Sequence, residues 1–236
     1  ANTDKPAWQW RLWRQVDTVL PIPTTFTYRQ RIYQAADLLL PCAEGEADQL
    51  HAYFGVPKEK MVVVHYAAER RFAAASPELF VKGYGLKDFV LMVSRINKRK
   101  GQLRLIHALN GLDFHSFMMA CQARPWVHYL GWVPQDILVA AYAAAKVHAL
   151  PSPAELPGLV SLEAGLAGAN VVAVKDPAVY EHLGDHAFYC TPRSLSSIQS
   201  AVLDAYNAPR SEGLRKRLLA GFTWDVVAAK ILAVYE

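Results

Sequence analysis

Lys146–Val174 reads KVHAL-PSPAELPG-LVSLEAGLA-GA-NVVAV: a short apolar run, a Pro/Gly-rich loop, a helical pattern and a second apolar run. Lys146–Leu150 and Asn170–Val174 are short, near-continuous apolar runs. A strand of this kind is covered on both faces, the condition of a parallel sheet flanked by helices. The pattern extends in both directions. Further strand candidates are Asp88–Ser94, His115–Cys121, Trp126–Gly131 and Ala187–Cys190. Between them lie helical patterns at Gly101–Asn110, Gln135–Ala145, Leu159–Ala167 and Pro177–Leu183, then a longer helix from about Leu195 to Tyr206. The fold class that follows is α/β, a Rossmann-like doubly wound parallel sheet, and such sheets bind ligands beyond the carboxyl ends of their strands.

The flanks differ in character. Thr223 is a suitable N-cap for a last helix, Trp224–Glu236, with Asp225 in its first turn and Trp224, Val227, Ile231 and Val234 at helical spacing. At the other end, Ile32–Pro41 reads as a strand and Glu44–Phe54 as a helix stopped by Gly55, with Pro57 beyond. One strand, one helix and the tryptophan-rich stretch Ala7–Leu20 are too little for an independent α/β core. The expected organisation is 1–63 as the remnant of an N-terminal domain, 64–220 as the ligand-binding domain and 221–236 as a C-terminal crossover helix.

Composition narrows the function classes. The 236 residues are 53% hydrophobic and 19% charged, which supports a substantial core and excludes wholesale disorder. A net charge of +4 is too mild for a nucleic-acid binder, where a concentrated basic face is expected. No apolar run approaches the roughly 18 residues of a membrane span, and the polar start is not a signal peptide. Cys42, Cys121 and Cys190 are odd in number and set in apolar contexts, so they read as buried thiols in a reducing compartment. The eight histidines show no metal-ligand spacing, and Tyr66, His115 and His148 read as structural. A cytoplasmic protein is expected. The arm Trp8–Arg14 (WQWRLWR) suits either a peripheral membrane contact or packing against an absent domain.

Two segments carry the chemistry. The first is Ser94–Gly101 (SRINKRKG), which leaves a strand and opens a helix. Arg95 and Lys100 can converge there on one anion, as a diphosphate requires, or can be a solvated basic turn. The second is Ala154–Gly165 (AELPGLVSLEAG). Pro157-Gly158 marks a helix start, the amides around Gly158, Leu159 and Val160 form a natural phosphate site, and Glu155 and Glu163 flank them. Each carboxylate can accept from neighbouring hydroxyls, as on a sugar or ribose ring; the alternative is a loop charge and a surface helical residue.

With these residues in view, the chain resembles the GT-B glycosyltransferases of the large retaining family 4, mainly in their C-terminal donor-binding domain. Arg95 with Lys100-Gly101 matches the family's R-x4-K-G, and Glu155 to Glu163 its E-x7-E. Softer matches are Trp126–Pro134, Tyr142–Ser152, Glu163–Ala173 and Phe222-Thr223-Trp224. The resemblance implies a sugar moved from a nucleotide-diphosphate sugar to a glycan, lipid-linked or small-molecule acceptor, with retention, without a metal and with no cofactor. It assigns Arg95 and Lys100 to the diphosphate, the amides near Gly158 and Leu159 to the sugar and distal phosphate, Glu163 to the ribose hydroxyls and Glu155 to the donor sugar. The loop at Val133 would lie near the base. The family's N-terminal acceptor domain is represented only by a tail, from about Ile32 to Phe54, so a missing domain or a partner subunit is expected. Val64–Phe72 stands in the place of an interdomain segment but has Tyr66-Ala67 for its Asn-Gly, and Pro157 replaces a common aromatic. Two alternatives remain: a non-catalytic nucleotide-sugar-binding subunit, and a GT-B sugar epimerase. A Rossmann dehydrogenase is disfavoured because no G-x-G-x-x-G follows a strand.

Overall fold

The computed structural model of the chain describes residues 25–110, 126–156 and 158–235. The strand expected at His115–Cys121, the arm Trp8–Arg14 and Pro157 lie outside them. The described residues divide into two compact units, one up to His65 together with the residues from Lys230, the other from Tyr66 to Ala229.

The larger unit contains a four-stranded parallel sheet of β1 (Val90–Leu91), β2 (Val147–Leu150), β3 (Asn170–Val174) and β4 (Phe188–Cys190), in that order. The register pairs Val90 with Val147, Leu150 with Ala173 and Val172 with Phe188. Successive strand residues feed opposite layers. Val147, Ala149, Val172 and Cys190 pack with Leu105 and Ala108 of α4 (Gln102–Asn110) and with Ile198, Ala201, Val202 and Ala205 of α8 (Leu195–Asn207). Val171 and Ala173 face the other way, onto Tyr142 of α5 (Gln135–Ala144), Leu162 and Leu166 of α6 (Leu159–Leu166), Val179 and Leu183 of α7 (Pro177–Leu183), and Leu214 and Leu218 of α9 (Glu212–Gly221). The sheet is therefore doubly wound. Each fully buried valine, leucine or isoleucine contributes about 1.5–3 kcal/mol, so these two layers dominate the stability of the unit.

Among the described residues after Tyr66, the other α-helices are α3 (Glu78–Tyr84) and the last helix, α10 (Trp224–Tyr235), whose residues from Lys230 belong to the smaller unit. Buried Phe80 of α3 packs on Ala140, Ala141 and Ala144 of α5. Thr223 takes the N-cap position of α10, its carbonyl accepting from the Val227 amide. Ala68 bridges to Thr223 as an isolated parallel pair.

Polar groups gather at the amino-terminal edge of the sheet. Arg210 donates through Nη1 to the carbonyls of Ala145 (2.8 Å) and Gly168 (3.2 Å), and through Nη2 to Asp88 Oδ1 (3.1 Å). Asp88 has a positive φ of 54°, rare for a residue with a side chain, and its amide donates to Ala144 O. Asn170 is fully buried; its Nδ2 donates to the carbonyls of Ala205 (2.7 Å) and Pro209 (3.1 Å) while its Oδ1 accepts from the Ser211 amide (3.0 Å).

In the smaller unit, α1 (Thr25–Ala35) is followed by Leu39, which bridges in parallel to Met61, with α2 (Glu44–Phe54) between them. Lys60 Nζ donates to Ala36 O at 3.0 Å, a cation at the carboxyl end of α1. Gly55 ends α2 as expected, accepting the left-handed conformation at the C-cap.

Two expected strands are corrected. Ile32–Pro41 is not a strand: residues up to Ala35 finish α1, and the Gln/Arg/Ala content of that stretch favours a helix. Trp126–Gly131 forms no strand either, and Trp126, Tyr129 and Leu130 are exposed; an apolar run becomes a strand only where a partner edge receives it, and residues 111–125 before it lie outside the described ones. α3 and α9 are additional helices. Ser211, whose Oγ accepts from the Leu214 amide, is the N-cap signal that marks α9.

Replacing Asn170 by alanine leaves carbonyls and an amide without their buried partner, and we expect about 1–3 kcal/mol of destabilisation. Urea unfolding measures this; a variant as stable as the wild type would mean that water satisfies those groups.

Candidate functional site

The two sequence segments meet at the carboxyl end of the sheet. The turn after β1 is shaped by its own polar groups: the Lys100 amide donates to Asn97 Oδ1 (3.0 Å), and buried Gln102, the first residue of α4, donates through Nε2 to Ser94 Oγ (2.7 Å) and Arg95 O (2.8 Å). Gly101 closes the turn with φ of 84°, and a Cβ there would stand 3.0 Å from Pro151 O. Only glycine lets this turn lie against the loop that leaves β2.

Across that approach, Lys100 Nζ donates to Glu155 Oε1 at 2.6 Å, and both side chains are largely buried, 16% and 11% exposed. The carboxylate lies over the start of α6. A Cβ on Gly158, whose φ is 79°, would be 3.6 Å from Glu155 Oε2, 3.7 Å from Ser161 Oγ and 3.1 Å from Leu150 Cδ2. Leu159 and Val160 are the first residues of α6, and their amides have no intrahelical carbonyl to bond, whereas the Ser161 amide donates to Gly158 O at 2.8 Å. Ser161 Oγ is buried and has no partner among the described residues.

Glu163 has a different setting. Its Oε2 accepts from the Tyr142 hydroxyl at 2.9 Å. Burial raises its carboxyl above the usual carboxylate range; the Tyr142 hydrogen bond and Arg71 oppose this, and Glu69 adds to it. Tyr142 itself is pushed far above an ordinary phenol by burial and by Glu163, so it acts as a donor.

Of the residues expected at the site, the structure thus brings Lys100, Glu155 and Gly158 together at the head of α6. Glu163 lies further along the same helix, with its own partner. Arg95 is exposed, and its side chain pairs with none of the described residues; its carbonyl is the part that Gln102 holds. Leu159 is exposed, Val160 packs partly against the core, and Val133 is half-buried between the exposed Trp132 and α5. Gln102 and Tyr142 were not legible as site-shaping residues, although Gln102 directly follows Lys100-Gly101 and Tyr142 opens a matched segment. His148 is fully buried in β2, and burial pushes its imidazole down to about 3, leaving it neutral. Among the described residues no group of His, Cys, Asp and Glu side chains could hold a metal ion, and no helix is long and apolar enough to cross a membrane.

Residues 83–208, which hold every one of these groups except Glu69 and Arg71, match the family model described as glycosyl transferases group 1. The chain belongs to this family. Among curated relatives of the glycosyl transferases group 1 chain are a glycogen synthase of Mycobacterium tuberculosis, 26% identical over 229 residues (86% of this chain, 55% of the relative), and an MMP alpha-(1->4)-mannosyltransferase of Mycolicibacterium hassiacum, 25% identical over 232 residues (88% and 56%). The chain thus spans about half the length of the curated relatives it matches. Solved structures share the fold. Sucrose-phosphate synthase from Thermosynechococcus elongatus superposes with a TM-score of 0.76 at 20% identity, covering 89% of this chain and 60% of that one. Anabaena HepE, in complex with UDP and glucose, gives 0.73 at 19%, covering 100% and 68%. The fold of this group 1 chain is GT-B, and its parallel sheet is the Rossmann-like part.

The raised carboxyl of Glu163 has a sign that can be checked. A carboxyl that holds its proton more tightly folded than unfolded makes the ionised protein less stable once pH rises above the ordinary value of 4.5. Glu163→Gln, which keeps an acceptor for Tyr142, should melt higher than the wild type at pH 7, with the gap closing as pH falls toward 4.5. Thermal melts between pH 4 and 8 test this, and a gap independent of pH would contradict it.

Proposed function

We propose that this chain provides the donor half of a retaining glycosyltransferase of family 4, which transfers a sugar from a nucleotide-diphosphate sugar to a glycan, lipid-linked or small-molecule acceptor. The observation that supports this best is the meeting of Lys100 and Glu155, 55 residues apart, at the carboxyl end of a parallel sheet beside Gly158. That is where open α/β sheets take their ligands.

In this reading the diphosphate lies between Lys100, Arg95 and the amides of Leu159 and Val160. Lys100 exchanges its carboxylate partner for a phosphoryl oxygen, and exposed Arg95 folds over the outer side. Glu155, released from the lysine, accepts from hydroxyls of the donor sugar. Glu163 accepts from the ribose hydroxyls, and the loop at Val133 borders the base. As the C1–O bond to the diphosphate lengthens, negative charge grows on the leaving group. Cations and amides already fixed around it stabilise that charge with little reorganisation, which is electrostatic catalysis. The acceptor is held by an N-terminal domain or a partner subunit, whose groups complete the reaction.

A hydrogen bond to a charged group contributes about 1.5–3 kcal/mol, and about 1.4 kcal/mol is a factor of ten in affinity. Lys100→Ala and Glu163→Ala are each expected to weaken nucleoside-diphosphate binding by about tenfold or more. Calorimetric titration with UDP, GDP and ADP finds the base that binds and reads both variants. Unchanged affinity in both would rule the reading out.

A further inference from the structure

Tyr142 is assigned no part in the diphosphate site proposed above, yet its surroundings constrain it closely. It is fully buried. Its ring lies between Phe72, at 5.8 Å and 75°, and His148, at 5.9 Å and 69°, both edge-on. Its hydroxyl is spent on one acceptor, Glu163 Oε2, at 2.9 Å. Phe72, His148 and Glu163 come from three different segments: a 3-10 turn at Arg70–Ala74, β2 and α6. The hydroxyl is therefore delivered to one point by packing from several sides, and cannot follow the carboxylate if that rotates.

A carboxylate has about four lone-pair positions on two oxygens. With Oε2 engaged from the core side, Oε1 is the oxygen left to accept from a ligand, and its direction is set by the Oε2 bond. Recognition of two neighbouring hydroxyls needs such a fixed direction, because a freely turning carboxylate gives up rotamer entropy on every binding event.

We propose that Tyr142 is a positioning residue: it holds the Glu163 carboxylate so that Oε1 is aimed at the vicinal diol of the nucleotide ribose, making the site selective for ribonucleotides over their deoxy counterparts. This rests on the assignment of Glu163 to the ribose. Lys100 and the α6 amides serve the phosphates of either kind of nucleotide, so loss of the Tyr142 hydroxyl is felt only where the diol is present.

The test titrates the nucleoside diphosphate that binds, and its 2′,3′-dideoxy analogue, into wild type, Tyr142→Phe, Glu163→Gln and the double variant. Phenylalanine preserves the ring and its edge contacts. The wild type should prefer the ribonucleotide. Tyr142→Phe should weaken ribonucleotide binding by about two- to tenfold, the range of a lost hydrogen bond, while dideoxy binding stays the same. The double variant should lose less than the two single losses combined, as expected for groups acting through one contact. Equal weakening toward both nucleotides would make Tyr142 merely structural, and no weakening would remove it from the site; either overturns the proposal. If Glu163→Gln leaves the ribo-to-dideoxy ratio at the wild-type value, the ribose assignment itself fails, a result distinct from failure of Tyr142 alone. Should Tyr142→Phe not fold, Glu163→Asp, which draws the carboxylate back from the hydroxyl and leaves the ring untouched, should reduce the same ratio; an undiminished ratio there also overturns the proposal.

Discussion

Burial of a parallel sheet on both faces is the constraint from which the rest of the larger unit follows. Parallel strands need crossovers, the crossovers are helices, and the helices cover both faces. Val147, Ala149 and Val172 point into one layer and Val171 and Ala173 into the other. All four strands then end at the same edge, so the loops that leave them are neighbours whatever their separation in sequence. The contact of Lys100 with Glu155, and of the Gly101 turn with the Pro151 carbonyl, depends on that shared edge. Neither segment could form the site alone.

The same constraint explains what was legible. Lys146–Leu150, Asn170–Val174 and Ala187–Cys190 show as strands because two-sided burial keeps them mostly apolar, the exceptions within β2 and β3 being the buried His148 and Asn170. α9 escapes the pattern because its sequence, EGLRKRLLAG, carries four charged residues and two glycines and buries only Leu214 and Leu218. α3 is short and carries Gly83 inside it. The run Leu38–Pro41 is apolar, but only Leu39 finds a bridge, and the helix-forming residues before it decide the conformation of that stretch. At the site, residue types at fixed spacing point to an anion and to hydroxyl-rich ligands. Spacing does not show which side chain answers which. That Lys100 rests on Glu155, that Tyr142 holds Glu163 and that Gln102 holds the Arg95 carbonyl are facts of tertiary packing.

Glu155 and Glu163 look equivalent as a pair eight positions apart, but their environments separate them. Glu155 has a cation at 2.6 Å, so its charge is compensated in place. Glu163 accepts its hydrogen bond from a neutral donor, and burial raises its carboxyl against the opposing pull of that bond and of Arg71. The first is an ionic partner; the second is a hydrogen-bond acceptor of a buried phenol. The loop before α6 and the helix itself thus each present one carboxyl group, and the two differ in what packs beside them and not in residue type.

Arg210 reaches the residues just ahead of three strands: Asp88 before β1, Ala145 before β2 and Gly168 before β3. Asn170 adds the turn between α8 and α9 to the same cluster. The sheet is therefore tied at the edge opposite Lys100 and Glu155, by polar groups that answer to backbone carbonyls and to the Asp88 carboxylate. Evolutionary change has an easy direction in such a molecule. Loops at the open edge can be lengthened, shortened or recharged to suit a new ligand while the anchored edge continues to set strand order and register. Innovation in specificity and retention of the fold draw on separate sets of residues, and neither has to wait for the other.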